Sequence, residues 1–107
     1  MKAKTKQDLN TLLGCICEYY GVDIQDVYGE NRHMENVKVR KVFYYLAFEI
    51  FKKEVTFVSI SKNFFNQHYT TIMYAKKTIA NYLAYDSGLI NDINLINGNY
   101  KHIQEYN

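Results

Sequence analysis

The apolar residues of this chain recur at helical spacing along most of its length. Leu9, Leu12, Leu13, Ile16, Cys17 and Tyr20 fall at i, i+3, i+4, i+7, i+8 and i+11, one face of a helix. Thr5 and Asp8 have the spacing of a capping box at its start, and Gly21 supplies a stop. Gly14, inside this helix at a cost of up to about 1 kcal/mol relative to alanine, points to close packing. Asp23 can cap a short turn of helix, Ile24 to Tyr28. The polar stretch GENRHMENVK over 29–38 reads as a loop, with Asn36 as the next N-cap. Val39, Val42, Phe43, Leu46, Ala47 and Ile50 then repeat the stripe without a miss and mark the central helix. Lys52 and Lys53 suit its C-terminal end, where the dipole favours cations.

A shorter helix is predicted around Val58 to Phe64, with Phe57, Ile60 and Phe64 inward. Asn66 suits the turn after it, because asparagine tolerates a left-handed backbone better than most residues. The next helix starts near His68, buries Ile72, Ala75, Ile79, Tyr82 and Leu83, and ends near Asp86–Gly88. A last helix, Leu89 to Ile96, precedes a polar tail. The expectation is an all-α fold of about six helices, one domain over 1–107 with its core over about 7–97. The short helix, turn and longer helix at 58–84 have helix-turn-helix spacing, which many helical domains share.

Composition agrees with that class. The 107 residues suit one domain with a modest core, and 48% hydrophobic content is too apolar for disorder. The absence of proline leans the chain toward helix. No apolar run approaches the roughly 20 residues of a membrane span, so stable membrane insertion is not expected. Cys15 and Cys17 form C-x-C with no further cysteine, and the three histidines are scattered. That argues against a zinc site or a disulfide and for a reduced, cytoplasmic compartment. Glu18, Asp23, Asp26 and Glu30 match no metal loop and read as solvated helix and turn residues. No Ser/His/Asp or Cys/His set, glycine-rich phosphate loop or Walker motif is present, so neither catalysis nor a cofactor is expected.

Charge changes the picture more. Over 31–78 nine basic residues face three acids, net +6, while elsewhere four lysines face eight acids, net −4. A basic middle favours a polyanion partner, although a solvated basic face has the same composition. The helix that starts near His68 opens His68-Tyr69-Thr70-Thr71. Short hydrogen-bonding side chains at such a start can enter a major groove, where a threonine offers a hydroxyl to a base edge and a methyl to thymine. Threonines that merely cap and fill the first turn fit the spacing equally well. Lys76 and Lys77 lie one to two turns further on and suit phosphates or water. Arg32, Lys38, Arg40 and Lys41 cluster around the predicted loop and helix start, where they suit phosphates, an adjacent minor groove or solubility.

The stretches ICEYYGVDIQDVYGENRHMENVKVRKVFYYLAFEI (16–50) and FVSISKNFFNQHYTTIMYAKKTI (57–79) resemble the C-terminal DNA-binding domain of the bacterial replication initiator DnaA. Four features carry the likeness. They are Glu18-Tyr19-Tyr20 near the end of the first helix, the short second helix with its basic loop, the arginine-bearing start of the long helix running into Leu46-Ala47, and the T-T-I-x-x-A-x-x-x-I pattern from Thr70 to Ile79. The likeness spans roughly 7–97 and implies a Trp-repressor-like helical fold that binds double-stranded DnaA boxes. The family's recognition helix opens D-H-T-T. Its threonines fall on Thr70 and Thr71, but its Asp and His fall on His68 and Tyr69. Its minor-groove arginine falls on Lys38 and a phosphate-binding arginine on Arg40. Its Gly-Gly turn becomes Phe65-Asn66, and a glycine in the preceding helix becomes Ser61.

These exchanges shift the expectation. His68 removes an acidic acceptor for cytosine N4, and Lys38 keeps the charge but loses the planar fork of arginine. DNA binding is expected, though not necessarily at the standard DnaA box. The expected base contacts are His68, Tyr69, Thr70, Thr71 and Lys38, and the expected phosphate contacts are Arg32, Arg40, Lys41, Lys62, Lys76 and Lys77. About six residues precede the first predicted helix, so a module without the family's ATPase is expected. Such a module fits a nucleoid-associated bacterial or phage regulator, or a fragment of a larger initiator. The rival expectation is a protein-interaction module that kept the fold and binds the initiator or another replication protein. It is motivated by eleven tyrosines, of which Tyr44, Tyr45, Tyr74, Tyr85 and Tyr106 find no firm place in the predicted core. A third is lipid contact through Lys2, Lys4 and Lys6 ahead of the first amphipathic helix.

Overall fold

Two apolar stripes meeting face to face organise the molecule. A computed structural model describes residues 1–29 and 33–106. In it, α1 (Ala3–Tyr20) and α3 (Met34–Phe51) lay their stripes against each other, and α2 (Ile24–Tyr28) closes one end. A 3₁₀ turn, Lys52–Glu54, leads to α4 (Phe57–Asn63), then α5 (Tyr69–Tyr82) and α6 (Ser87–Tyr106). Among the described residues there is no strand. The central helix α3 packs against α1, α2 and α5, α4 packs on α5, and α6 packs on α1. Leu9, Leu12, Leu13 and Ile16 meet Val39, Val42, Phe43 and Ala47, all fully buried. Each such side chain contributes about 1.5–3 kcal/mol by leaving water. The α1 stripe is thus consumed by the core, which removes the apolar face that a lipid surface would need.

Local signals hold where their partners are adjacent in sequence. Gly21 takes φ +67, and the Gly21 and Val22 amides donate to the Glu18 and Cys17 carbonyls, a Schellman stop. The Asp23 carboxylate accepts from the Gln25 amide at 2.8 Å and starts α2. Four local expectations are corrected. Helix α1 begins at Ala3 with no side-chain cap, so Thr5 lies inside it, buried, and does not cap it. A Cβ on Gly14 would meet nothing within 4 Å, so close packing does not explain this glycine. Helix α3 begins at Met34, after His33, which leaves Asn36 as a buried first-turn residue and not the N-cap. The polar tail is helical. Asp86 accepts from the Leu89 amide at 3.0 Å, and α6 continues because Ile93, Ile96, Tyr100 and Ile103 extend one packed stripe through the polar residues.

The helix-turn-helix is α4, a turn and α5. Thr56 and Ser59 form a reciprocal capping box, with Ser59 N–H to Thr56 Oγ1 at 3.0 Å and Thr56 N–H to Ser59 Oγ at 2.9 Å. Phe65 and Asn66 both adopt left-handed backbones, φ +58 and +51. Asn66 was the expected turn residue. Phe65 carries a costlier strain. Its ring packs at 4.8 Å from Tyr28, 5.7 Å from Phe43 and 6.0 Å from Tyr44, so the strained turn is riveted to α2 and α3.

Candidate nucleic-acid interface

His68, an expected base contact, is also the N-cap of α5. Its Nδ1 accepts from the Thr70 amide at 3.2 Å and lies 2.8 Å from Thr70 Oγ1. Accepting there requires the ring proton on Nε2. The Tyr69 ring lies against the imidazole at 4.5 Å and is 44% exposed. These two residues therefore build one exposed aromatic step at the mouth of α5, with Thr70 drawn onto His68 and Thr71 left exposed.

Ile72, Ala75 and Ile79 turn α5 inward. The opposite face is then Thr70, Tyr74, Lys77 and Asn81, at i, i+4, i+7 and i+11. Tyr82, expected in the core, is exposed at the last turn, where it borders an open groove shared with Met34 at the start of α3. Tyr74 is 71% exposed and lines a groove of about 300 Å³ between α3 and α5 with Lys41, Tyr44, Gln67 and Thr71. The sequence placed Tyr74 on no face in particular; its i+4 spacing from Thr70 was the available signal. Tyr44, which had no firm place, is buried, and its hydroxyl donates to Gln67 Oε1. Burial holds the Tyr44 phenol well above its ordinary pKa, only partly offset by Arg40, so it remains a donor. Through Gln67 that bond ties the residue before His68 to the central helix, and Ser61 Oγ, donating to the Gln67 carbonyl, ties it to α4.

The expected cations separate into three kinds. Lys41, Lys62 and Lys77 line the α3–α5 groove, the last turn of α4 and the outward face of α5 respectively. Lys76 lies across the Phe48 ring, Nζ 5.3 Å from its centroid, and Lys38 lies across the Tyr20 ring at 5.0 Å. Arg40 is 6% exposed, and its Nη1 donates to the Val27 carbonyl at 3.0 Å. It fastens α2 to α3, a role that only the tertiary structure creates. Arg32 falls outside the described residues. Thus α5, α3 and α4 carry half-buried Thr70, exposed Thr71, an aromatic step and lysines. Among the described residues, no group of histidine, cysteine and carboxylate side chains is arranged to hold a metal ion, and no helix is long and apolar enough to cross a membrane.

The family model described as the bacterial dnaA protein helix-turn-helix matches residues 9–79. The chromosomal replication initiator protein DnaA of Anaplasma marginale (strain St. Maries) is 30% identical over 81 residues, 76% of this chain and 17% of that protein. The protein of the same name from Ehrlichia ruminantium (strain Gardel) is 28% identical over 82 residues, 77% of this chain and 17% of its own length. The chain therefore spans about a sixth of the length of these curated relatives.

Proposed function

The chain belongs to the bacterial DnaA helix-turn-helix family, and from that premise we propose that it binds double-stranded DNA sequence-specifically through α5, as a binding module and not an enzyme. The observation that carries this reading is the first turn of α5, largely exposed, capped by its own histidine, with Lys41 beside it in the α3–α5 groove and Lys77 one to two turns further along the outward face. His68, Tyr69, Thr70 and Thr71 face base edges in the major groove, Lys38 reaches the adjacent minor groove, and Lys41, Lys62, Lys76 and Lys77 meet phosphates. Arg32, outside the described residues, joins them as a phosphate contact. Arg40 is assigned to the fold, because freeing its buried guanidinium would cost the bond to Val27. His68 cannot copy an acidic acceptor while Nδ1 caps the helix, so the preferred sequence differs from that of a family member with aspartate there. The setting is the nucleoid, in replication or its regulation.

Selection of bound duplexes from a random pool, followed by fluorescence anisotropy, tests the proposal. Micromolar or tighter binding that weakens steeply with salt is expected. Failure to bind any duplex at low salt overturns it.

A second reading has an observation of its own. Met34 is 87% exposed and, with Tyr82, borders a largely apolar groove of about 580 Å³ between α3 and α5, beside the exposed Tyr85. A replication protein docked there makes this a protein-interaction module. Co-purification of such a protein, together with no affinity for duplexes, supports it.

A further inference from the structure

Lys38 projects from the second turn of α3, and its side chain is 50% exposed. Its Nζ lies 3.8 Å from Asp92 Oδ2 on α6 and over the Tyr20 ring. Asp92 does not depend on this lysine. Its Oδ1 accepts from the Tyr19 hydroxyl at 2.6 Å and its Oδ2 from the Tyr20 hydroxyl at 3.0 Å. The two tyrosines brace each other edge to face at 5.1 Å, and Asp86 caps the start of α6. The two hydroxyl bonds, one to each carboxylate oxygen, hold the side chain in place. A fixed anion thus faces a loose, half-exposed cation. The element supplying the anion, α6, begins after the family match ends at residue 79.

We infer that Asp92 is a positioning residue that holds Lys38 beside α3 and competes with DNA for its charge, so that α6 sets the strength of the DNA contact made by Lys38. The inference rests on the DNA-binding reading above. Moving Lys38 to DNA breaks a long, half-exposed ion pair and leaves the carboxylate with both tyrosine donors, so release is easy but not free. Breaking that pair also lets Asp92 take up a solution cation, which offsets part of the counterion release from the duplex. The wild-type salt dependence is therefore shallower than Lys38 alone would give.

Asp92→Asn is the direct test, because asparagine keeps hydrogen-bonding capacity toward the two tyrosines and loses the charge. In the full chain, the variant is titrated against the best duplex from the random pool and against a mixed-sequence duplex. Expected is about two- to five-fold tighter binding to both, the equivalent of one exposed ion pair, with a salt slope steeper by up to about 0.9. The gain disappears when Lys38→Ala is added. Tyr19→Phe, which weakens the docking of α6 but keeps the Asp92 charge, leaves the salt slope unchanged. An Asp92→Asn affinity and slope equal to wild type overturn the inference, as does a gain that survives Lys38→Ala. If wild type itself binds neither duplex, the DNA-binding reading has failed and the inference with it, and that result differs plainly from a bound wild type with an indifferent variant.

Discussion

Phe65 offers a sharp test of how the recognition helix is aimed. It has φ +58 and a ring packed on Tyr28, Phe43 and Tyr44. The left-handed backbone costs a non-glycine residue about 1–2 kcal/mol. Truncating a fully buried phenylalanine to alanine costs about 3–5 kcal/mol. Phe65 is only partly buried, so about 2 kcal/mol is the reasonable figure for its ring. Phe65→Ala loses the ring and keeps the strain, and should cost about 2 kcal/mol. Phe65→Gly loses the ring but relieves the strain, and should cost about 1 kcal/mol. Glycine should therefore beat alanine by about 1 kcal/mol, the reverse of the order in a helix interior. Urea unfolding followed by far-UV circular dichroism measures this. For slopes of about 1–3 kcal/mol per molar, the two midpoints differ by roughly 0.3–1 M. An alanine variant as stable as the glycine variant refutes the strain argument, and a glycine variant as stable as wild type refutes the packing argument. Both variants should also weaken binding to the preferred duplex, because the same ring fixes the angle at which α5 leaves the turn.

Further predictions concern the site and the core. Thr71→Ala should reduce discrimination at one base position by about 1–3 kcal/mol, whereas Lys77→Ala should weaken all duplexes alike and reduce the salt slope by about 0.9, both read by anisotropy. Tyr44→Phe removes the donor to Gln67 and should cost about 1 kcal/mol or more of stability in urea. Alkali should destabilise the fold. Burial pushes Cys17 from 9.0 up to about 11 and, as its largest cause, Tyr100 from 10.0 up to about 12, so as pH rises the unfolded chain loses these protons first. Stability should be level below pH 9 as far as these groups are concerned and fall as pH climbs from 9 toward 12, seen as a falling urea midpoint. A midpoint that rises over that window contradicts the burial of these groups.

The sequence by itself determined where most helices lie and which faces of α1 and α3 turn inward, because periodicity is a property of each segment alone. The stripes through Leu9 and Val39 were legible, as were the Gly21 stop, the Asp23 cap and the left-handed Asn66, since each depends on neighbours a few residues away. The family was legible for the same reason, through the ordered threonines and alanine of α5. Which polar groups stay available was not legible, because that depends on side chains brought from distant segments. Arg40 reads from sequence as a phosphate contact, and only the fold shows it buried with Nη1 on the carbonyl of Val27, thirteen residues earlier. Tyr44 looked unplaced until Gln67 gave its hydroxyl a partner. The polar tail became α6 because its sparse stripe found α1 to pack against, and α6 in turn set Asp92 beside Lys38. A helix can be read from its own residues, but a charge is spent or available according to what the fold places beside it.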